Sequence, residues 1–301
     1  NRFYGENQVP GPVIPLVAIP TTSGTGSEVT PVAVLADPDR ELKVGISSPY
    51  LIPRAAIVDP RLMVGAPAAV TASAGADALV HAIEAYTSNN HTPQWGDQLP
   101  VFVGENVLSS TLALEAIRII GLSLRDAVRD GEDFEARSRM AYASLLAGMA
   151  FGTAGTHLSH AIQYPVGALT HTPHGLGTGM LLPYVMQAVL DTDARRLANI
   201  AEALGVAAGS TAESAQNAID EVAAIMADIG LPNDLATIGV TEADLPRIVE
   251  LSLTVRRLVT NSVLEPTEEN LHRIVRAALS GDRAELKPVP TAASNESENQ
   301  Q

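Results

Sequence analysis

A change of sequence pattern near residue 66 constrains the fold of this chain more than any other feature. Before it lie short apolar runs rich in β-branched residues, and after it lie long Ala/Leu patterns with helical spacing. Runs of the first kind are typical of strands, whereas apolar residues three and four positions apart predict helices. The sequence therefore predicts an α/β portion over residues 1–66, an all-helical domain over 67–287 and a disordered tail over 288–301.

Four segments of the first portion have the composition of strands. The first is predicted to be buried, and the turn DPDR is predicted to join the second and third as a hairpin. The segments are VIPLVAIP (13–20), PVAVLAD (31–37), ELKVGIS (41–47) and AAIVDP (55–60). Helices are predicted over 67–88, 107–128, 132–163, 176–190, 192–204, 211–229, 242–256 and 267–280.

Composition excludes several function classes. The net charge of −15, from 19 basic and 34 acidic residues, disfavours binding to nucleic acid, because phosphate contacts depend on Lys and Arg. The absence of cysteine removes disulfides, thiolate metal ligands and a cysteine nucleophile. No run of about 18 apolar residues suggests a membrane span, and no N-terminal pattern suggests a signal peptide. We therefore expect a cytoplasmic protein without membrane or nucleic-acid partners.

Five of the seven histidines fall in two short stretches, GADALVHAIEAY (75–86) and THLSHAIQYPVGALTHTPHGLG (156–177). In the first stretch Asp77 and His81 are four apart, so both side chains leave one helical face. Such a pair is more often a simple hydrogen-bonded or solvated pair than a metal site. Together with the second stretch it could hold a divalent metal, since imidazole and carboxylate both suit iron and zinc.

The loop PTTSGTGSEVT (20–30) lies between two predicted strands. It therefore lacks the following long helix that a P-loop or a dinucleotide fingerprint requires. Its glycines would allow close approach of the backbone to a ligand, and its hydroxyls could donate hydrogen bonds to phosphate oxygens. An ordinary turn is the simpler interpretation. The residues considered for phosphate binding are Thr21, Thr22, Gly24, Thr25, Ser27 and Thr30.

Three further features have open roles. The long connection 89–106, which contains the only Trp, is either a lid or a plain surface loop. Glu84 is expected to face another side of its helix than Asp77 and His81. His157, three residues before His160, is expected to hydrogen-bond or pack near the site rather than to bind metal.

In combination and order, these motifs resemble the iron-containing (group III) alcohol dehydrogenase family. The resemblance is carried by PTTSGTGSEVT, by GADALVHAIEAYTS, by EARSRMAYASLLAGMAFG, and by the block from His160 to the PHG turn. It extends over almost all of 13–281. The resemblance implies the dehydroquinate synthase-like architecture, with a dinucleotide-binding α/β domain, a helical domain and a metal in the cleft between them. It also implies hydride transfer between NAD(P) and a small alcohol or aldehyde.

The resemblance also assigns residues. It implies the metal ligands Asp77, His81, His160 and His174, with Fe2+ as the expected metal and Zn2+ as the alternative. Around the cofactor it implies Thr21, Thr25 and Thr30, with Lys43 near the ribose. From its place before the TPHG turn, His171 is a candidate for lining the substrate pocket, and solvent exposure is the equal alternative. A homodimer is expected from the resemblance alone.

Two departures from the family pattern bear on function. Where many members carry a further histidine four residues after the third ligand, this chain has Tyr164, a candidate catalytic residue. That pattern resembles the hydroxyacid-oxoacid transhydrogenase branch, which acts on 4-hydroxybutyrate and 2-oxoglutarate. The second departure is the lack of the family's upstream pyrophosphate-binding turn, from which we expect an N-terminally incomplete cofactor domain. A metallohydrolase and a degenerate, non-catalytic member remain as alternatives.

Overall fold

The computed structural model describes residues 2–35, 37, 43–91 and 99–286. Its described strands are short and all precede the first long helix. A three-stranded sheet has the order β1 (Gly5–Glu6), β4 (Val44–Ser47), β3 (Val32–Leu35), in which β1 is parallel and β3 antiparallel to β4. A second sheet pairs β2 (Val17–Ala18) with β5 (Ala55–Ala56) in parallel. The antiparallel β3–β4 pair confirms the predicted hairpin, although most of its turn lies outside the described residues.

The predicted buried strand over 13–20 is wrong in extent and in burial. Only two of its residues pair with another strand, and Ile14 is 89% exposed while Leu16 and Ile19 are about half exposed. An apolar β-branched run favours a strand, but its burial depends on another layer covering it. The described residues place no such layer over this run.

The helices follow in one continuous block. They are α1 (Ala68–Tyr86), α2 (Val107–Arg129), α3 (Phe134–Ala154), α4 (Leu158–Thr170), α5 (His174–Leu204), α6 (Thr211–Asp228), α7 (Leu245–Thr254), α8 (Arg256–Val259) and α9 (Glu268–Ser280). Helix α1 packs against α2, α3 and α5, which places it at the centre of the block. Strands first and helices second confirm the predicted fold class. The domain boundary at residue 66 stays a prediction, and the tail 288–301 lies outside the described residues.

One predicted helix boundary is wrong, and another is confirmed. The pattern over 132–163 forms two helices, because Gly155 adopts a left-handed φ of 79° and ends α3. The next helix, α4, then runs through Pro165 to Thr170. The predicted break between the helices 176–190 and 192–204 is confirmed by a kink within α5, where Asp193 leaves helical geometry (φ −139°, ψ 35°).

Two buried clusters of apolar side chains form the core. One joins α1, α2, α3, α5 and α6, and the other joins α4, α5, α7, α8 and α9. Helix α2 is long and apolar enough to span a membrane by length and composition alone. Its Ala113, Ile117 and Ile120 are fully buried in the first cluster, so we interpret α2 as a core helix. Part of the long connection over 89–106, residues 92–98, lies outside the described residues.

Candidate metal centre

A cleft of about 750 Å³ lies between the N-terminal segment and the helical block. One wall consists of residues from the loop after β2 and from the β3–β4 hairpin. The opposite wall consists of side chains from α1, α3, α4, α5 and α8. The cleft is lined by Leu16, Ala18, Thr25, Ser27, Thr30, Val32, Ala33, Val34, Lys43, Leu51, Pro53, Asp77, His81, Phe151, Thr156, His160, Tyr164, His174 and Arg257.

The four predicted metal ligands come together in this cleft. Asp77 and His81 lie one turn apart on α1, His160 lies in the first turn of α4, and His174 is the first residue of α5. Gly175 makes this approach possible, since a Cβ there would lie 2.1 Å from the carbonyl oxygen of Ser73 on α1. The close packing of α5 on α1 thus brings His174 beside Asp77.

The distances suit a shared cation. Asp77 Oδ1 lies 3.8 Å from Nε2 of His160 and 3.8 Å from Nε2 of His174, while Asp77 Oδ2 lies 3.8 Å from Nδ1 of His81. Nε2 of His81 and Nε2 of His160 are 3.1 Å apart. Ligand bonds of roughly 2.0–2.2 Å leave ligand atoms about 3–4 Å from one another. Asp77, His81 and His160 form the tightest group, with one ligand atom from each within 4.8 Å of the others.

The electrostatics of the cluster favour metal binding. Burial is the main reason that the pKa values of His81 and His174 fall to about 4, so both imidazoles are neutral at pH 7. Burial raises the pKa of Asp77. The three imidazoles and a hydrogen bond from Thr178 lower it by more than burial raises it, so the carboxylate stays ionised. Neutral imidazoles and an ionised carboxylate are the forms that bind metal. Nδ1 of His81 and Nδ1 of His174 are buried and make no hydrogen bond among the described residues.

Glu84 organises this cluster from behind. Its carboxylate accepts hydrogen bonds from the backbone N–H groups of His157 (2.8 Å) and Ser159 (2.6 Å), which lie at the N-terminus of α4. The same carboxylate lies 2.7 Å from Nδ1 of His160. An ionised Glu84 therefore holds the proton on Nδ1 and turns the Nε2 lone pair toward Asp77 and His81. Burial opposes this ionisation, but the neighbouring histidines and these hydrogen bonds lower the Glu84 pKa overall.

The expectation that Glu84 faces away from the metal ligands is therefore wrong. Seven residues make almost two full turns, so a side chain seven after Asp77 and three after His81 shares their face. That spacing was the signal available in the sequence. His157 behaves as predicted: its Nε2 lies 2.9 Å from Oγ1 of Thr87, and it is not among the clustered ligands.

Two further side chains fix the ligands, and the sequence analysis identified neither. Thr178 on α5 donates a hydrogen bond to Asp77 Oδ1 at 3.0 Å. Phe151 on α3 stacks on the His81 ring, with ring centroids 4.2 Å apart and planes 13° apart. Each contact joins residues from different helices, so it depends on tertiary packing rather than on a sequence motif.

The predicted cofactor residues divide into two groups. Thr25, Ser27, Thr30 and Lys43 line the cleft. The structure does not place Thr21, Thr22 or Gly24 among the residues that line it. Thr22 lines a separate small pocket, and a Cβ on Gly24 would lie 2.9 Å from the backbone of Ala74 in α1. The close approach that Gly24 permits is therefore to a helix of the same chain.

The two candidate catalytic residues lie in different places, one in the cleft and one outside it. Tyr164 is buried, lines the cleft, and has its ring centroid 6.4 Å from that of His174. Burial raises the pKa of Tyr164, and Arg257 opposes part of that rise, so the phenol keeps its proton. His171 is exposed at the end of α4 and is not among the residues that line the cleft, so the structure supports the solvent-exposed alternative and not the place in the pocket. Its left-handed backbone (φ 56°) reverses the chain, so that His174 reaches the cleft instead.

Comparisons with known proteins identify two family models that match this chain. The family model described as iron-containing alcohol dehydrogenase matches residues 1–60, and the model of the C-terminal part of that family matches residues 71–279. The chain spans about three fifths of the length of the curated relatives it matches.

Three matches illustrate the similarity. The NAD-dependent methanol dehydrogenase of Bacillus methanolicus is 40% identical over 247 residues, which cover 81% of this chain and 61% of that protein. The mitochondrial hydroxyacid-oxoacid transhydrogenase of Homo sapiens is 33% identical over 290 residues, covering 89% and 62%. The crystal structure of a 1,3-propanediol oxidoreductase superposes with a TM-score of 0.81 at 38% identity and covers 92% of this chain and 69% of that one. This chain belongs to the iron-containing alcohol dehydrogenase family.

Proposed function

We propose that this protein is a metal-dependent oxidoreductase that transfers hydride between NAD(P) and a small alcohol or aldehyde. The observation that carries the proposal is the convergence of Asp77, His81 and His160 in a cleft that hydroxyl-bearing loop residues also line. His174 completes the proposed ligand set. Family membership and a relative named as an NAD-dependent dehydrogenase support the redox chemistry.

The donor set fits a divalent cation, since one carboxylate and three neutral imidazoles leave the remaining positions open to substrate. When bound, the metal would polarise a substrate oxygen, and NAD(P) would accept the hydride while the hydroxyl proton is released. Asp77 compensates half of the charge of a divalent ion, and Glu84 positions His160. The mixed imidazole and carboxylate set suits Fe2+, which we propose, and Zn2+ is the alternative.

The cofactor is proposed to lie along the N-terminal wall. Thr25 and Ser27 are exposed, and Thr25 donates a hydrogen bond to Ser27 at 3.0 Å, so their hydroxyls form one polar ridge beside Lys43 in the cleft. Phosphate or ribose oxygens are the groups that such donors bind. NAD is favoured over NADP by the name of the Bacillus relative and by a similar sulfoacetaldehyde reductase whose structure holds NAD+. The cytoplasmic location and the homodimer stay predictions.

Tyr164 is proposed to contact the substrate. Its phenol keeps its proton and lies beside His174, so it can donate a hydrogen bond in the cleft. The transhydrogenase activity is the second candidate function, supported by the relative of that name and by the cations of the cleft wall.

The test measures bound metal and NAD(P)-linked oxidation of 1,2-propanediol, ethanol and 4-hydroxybutyrate on the full-length protein. His160→Ala and His174→Ala are expected to lose bound metal and turnover together. His272→Ala, in α9 and outside the residues that line the cleft, is the matched control and should retain both. Metal binding without NAD(P) reduction would favour the metallohydrolase alternative. Full activity of either ligand variant would overturn the proposed site.

A further inference from the structure

The cleft carries positive charge that the proposed metal chemistry does not use. In a chain of net charge −15, its lining includes the cations Lys43 and Arg257 and the single carboxylate of Asp77. That carboxylate already faces three imidazoles at 3.8 Å each. Lys43 lies on the N-terminal wall, and the helical wall carries the cation Arg257 beside the metal ligands, which is a feature suited to an anion.

Arg257 is held in this wall without a charge partner. It lies on the short helix α8, half-buried, with its guanidinium 4.8 Å from the centroid of the Phe102 ring. Its charge also opposes part of the rise in the Tyr164 pKa, so the two side chains lie near each other in the cleft that both line. Within the part of the chain that the structure describes, no carboxylate lies at ion-pair distance from Arg257. A guanidinium has five N–H donors, so this arrangement leaves donors free for a ligand.

The other arginines in packed positions show what a structural role looks like in this protein. Arg125 binds the carboxylates of Glu221 and Asp228, at 2.8 and 2.6 Å. Arg137, which is 3% exposed, donates hydrogen bonds to the carbonyl oxygens of Met63 and Ala66 and to the hydroxyl of Thr71. Arg257 differs because it stacks on an aromatic ring at the edge of a cleft. Stacking fixes the plane of a guanidinium and keeps its donor edge available.

Arg257 also stands one side chain away from the metal ligands. Tyr164 has its ring centroid 6.4 Å from that of His174, and Arg257, Tyr164 and His174 line the same cleft. A small molecule whose oxygen faces the ligand cluster can therefore extend along Tyr164 toward the guanidinium.

From this geometry we propose that Arg257 is a specificity-determining residue that binds the carboxylate of a small hydroxy acid or oxo acid. The inference rests on the proposed function, because it concerns the far end of the same substrate. Arginine suits this role, since its planar fork can bind a carboxylate through two parallel hydrogen bonds.

The test compares two substrates of similar length on the full-length, metal-loaded protein, 4-hydroxybutyrate and the uncharged 1,4-butanediol. Wild-type protein is expected to show the higher kcat/KM for the acid. Arg257→Gln should lower kcat/KM for the acid about 10- to 100-fold, mainly through KM, and leave the diol within about 2-fold. Arg257→Lys should retain part of the preference. The neighbouring and exposed Arg256→Gln is the matched control and should change neither substrate.

Equal losses on both substrates would overturn the inference, because they would indicate a structural role. Weaker NAD binding in Arg257→Gln, seen as a higher dissociation constant, with the acid preference unchanged would also overturn it. That result would assign the arginine to the cofactor phosphates. Calorimetric binding of butyrate separates this inference from the proposed function. If neither substrate turns over, the proposed function fails, and butyrate binding that Arg257→Gln alone abolishes still supports the anion site. Butyrate binding that is independent of Arg257 would overturn it.

Discussion

The N-terminal segment and the helical block bury their apolar side chains to very different degrees. In the segment before α1, the strands are two to four residues long and Ile14 is 89% exposed. In the helical block, Ile117 and Ile120 of α2 are fully buried in a continuous cluster. The two walls of the cleft are therefore supported differently. Packed helices hold the wall with the proposed metal ligands, the ligand wall, and loops and short strands form the wall proposed to bind the cofactor, the cofactor wall.

The difference shows where the site can be preorganised. Asp77 and His81 project from a helix packed on three sides, so their positions are set by the core. The loop with Thr25 and Ser27 is held instead by close contact with α3. Gly26 has a φ of 57°, and a Cβ there would lie 2.4 Å from Cα of Gly148. A metal site can thus be rigid while the cofactor wall depends on how one loop docks.

The most direct test of this comparison makes the same substitution in both regions. Ile117→Ala removes a fully buried side chain from the first cluster and should lower the free energy of unfolding by about 2–5 kcal/mol. Ile14→Ala removes an exposed side chain and should change it by less than about 0.5 kcal/mol. Urea unfolding of the two variants beside the wild type measures both values. Similar losses would show that the N-terminal segment is covered as fully as the core.

A second test asks whether the positions of the metal ligands in the ligand wall depend on Glu84, which contacts His160 from behind. Glu84→Gln keeps the shape of the side chain. It removes the negative charge of the carboxylate that accepts hydrogen bonds from His157, Ser159 and His160. Partners of this kind typically change metal affinity 10- to 100-fold, and we expect a loss in that range. Chelator competition with Fe2+ or Zn2+ measures it.

Glu115→Gln is the control for this test, since Glu115 forms an exposed pair with Arg118 on α2 and should leave metal affinity unchanged. Wild-type affinity in Glu84→Gln would mean that helix packing alone orients His160. A fall in metal affinity accompanied by an equal fall in the control would point to a general effect of charge.

Sequence reasoning predicted the parts of the molecule that local pattern determines. Helical periodicity located most helices, and the family resemblance assigned Asp77, His81, His160 and His174, which the structure brings together. The burial of the run at 13–20 was wrong, because burial is a property of the covering layer. The split at Gly155 was missed, since it depends on a backbone angle that an Ala/Leu pattern does not record, whereas the predicted break between 190 and 192 lies next to the bend at Asp193.

The residues missed at the site are those placed by tertiary packing. Arg257 is far from every motif in the sequence, and only the packing of α8 brings it to Tyr164. Thr178 and Phe151 reach the ligands across helix interfaces. Glu84 is the exception, since its spacing from Asp77 and His81 could have identified it.

The smallest expected effect concerns the bend inside α5. Asp193 lies at the bend of α5, its side chain is 12% exposed, and its Oδ2 makes no hydrogen bond among the described residues. Burial raises its pKa to about 6, with Arg196 opposing the rise. The folded pKa therefore lies above the ordinary value of 3.8, and the folded state binds the proton more tightly. The free energy of unfolding should therefore fall as pH rises from about 4 to 6, and this loss of stability is complete above pH 6.

Asp193→Asn removes this charge and should make the protein more stable at pH 7. The full shift would give about 3 kcal/mol, which solvent screening of a partly solvated group reduces to about 1 kcal/mol. At pH 4 the folded wild type already carries the proton, so the variant should gain almost nothing. Urea unfolding of both proteins at pH 4 and pH 7 measures the difference.

An equal gain at both pH values would mean that the substitution relieves the bend itself, and a loss at pH 7 would mean that the contact with Arg196 outweighs the cost of burial. Only a gain confined to pH 7 identifies the charge of Asp193 as a local weakness of an otherwise well-packed helical block.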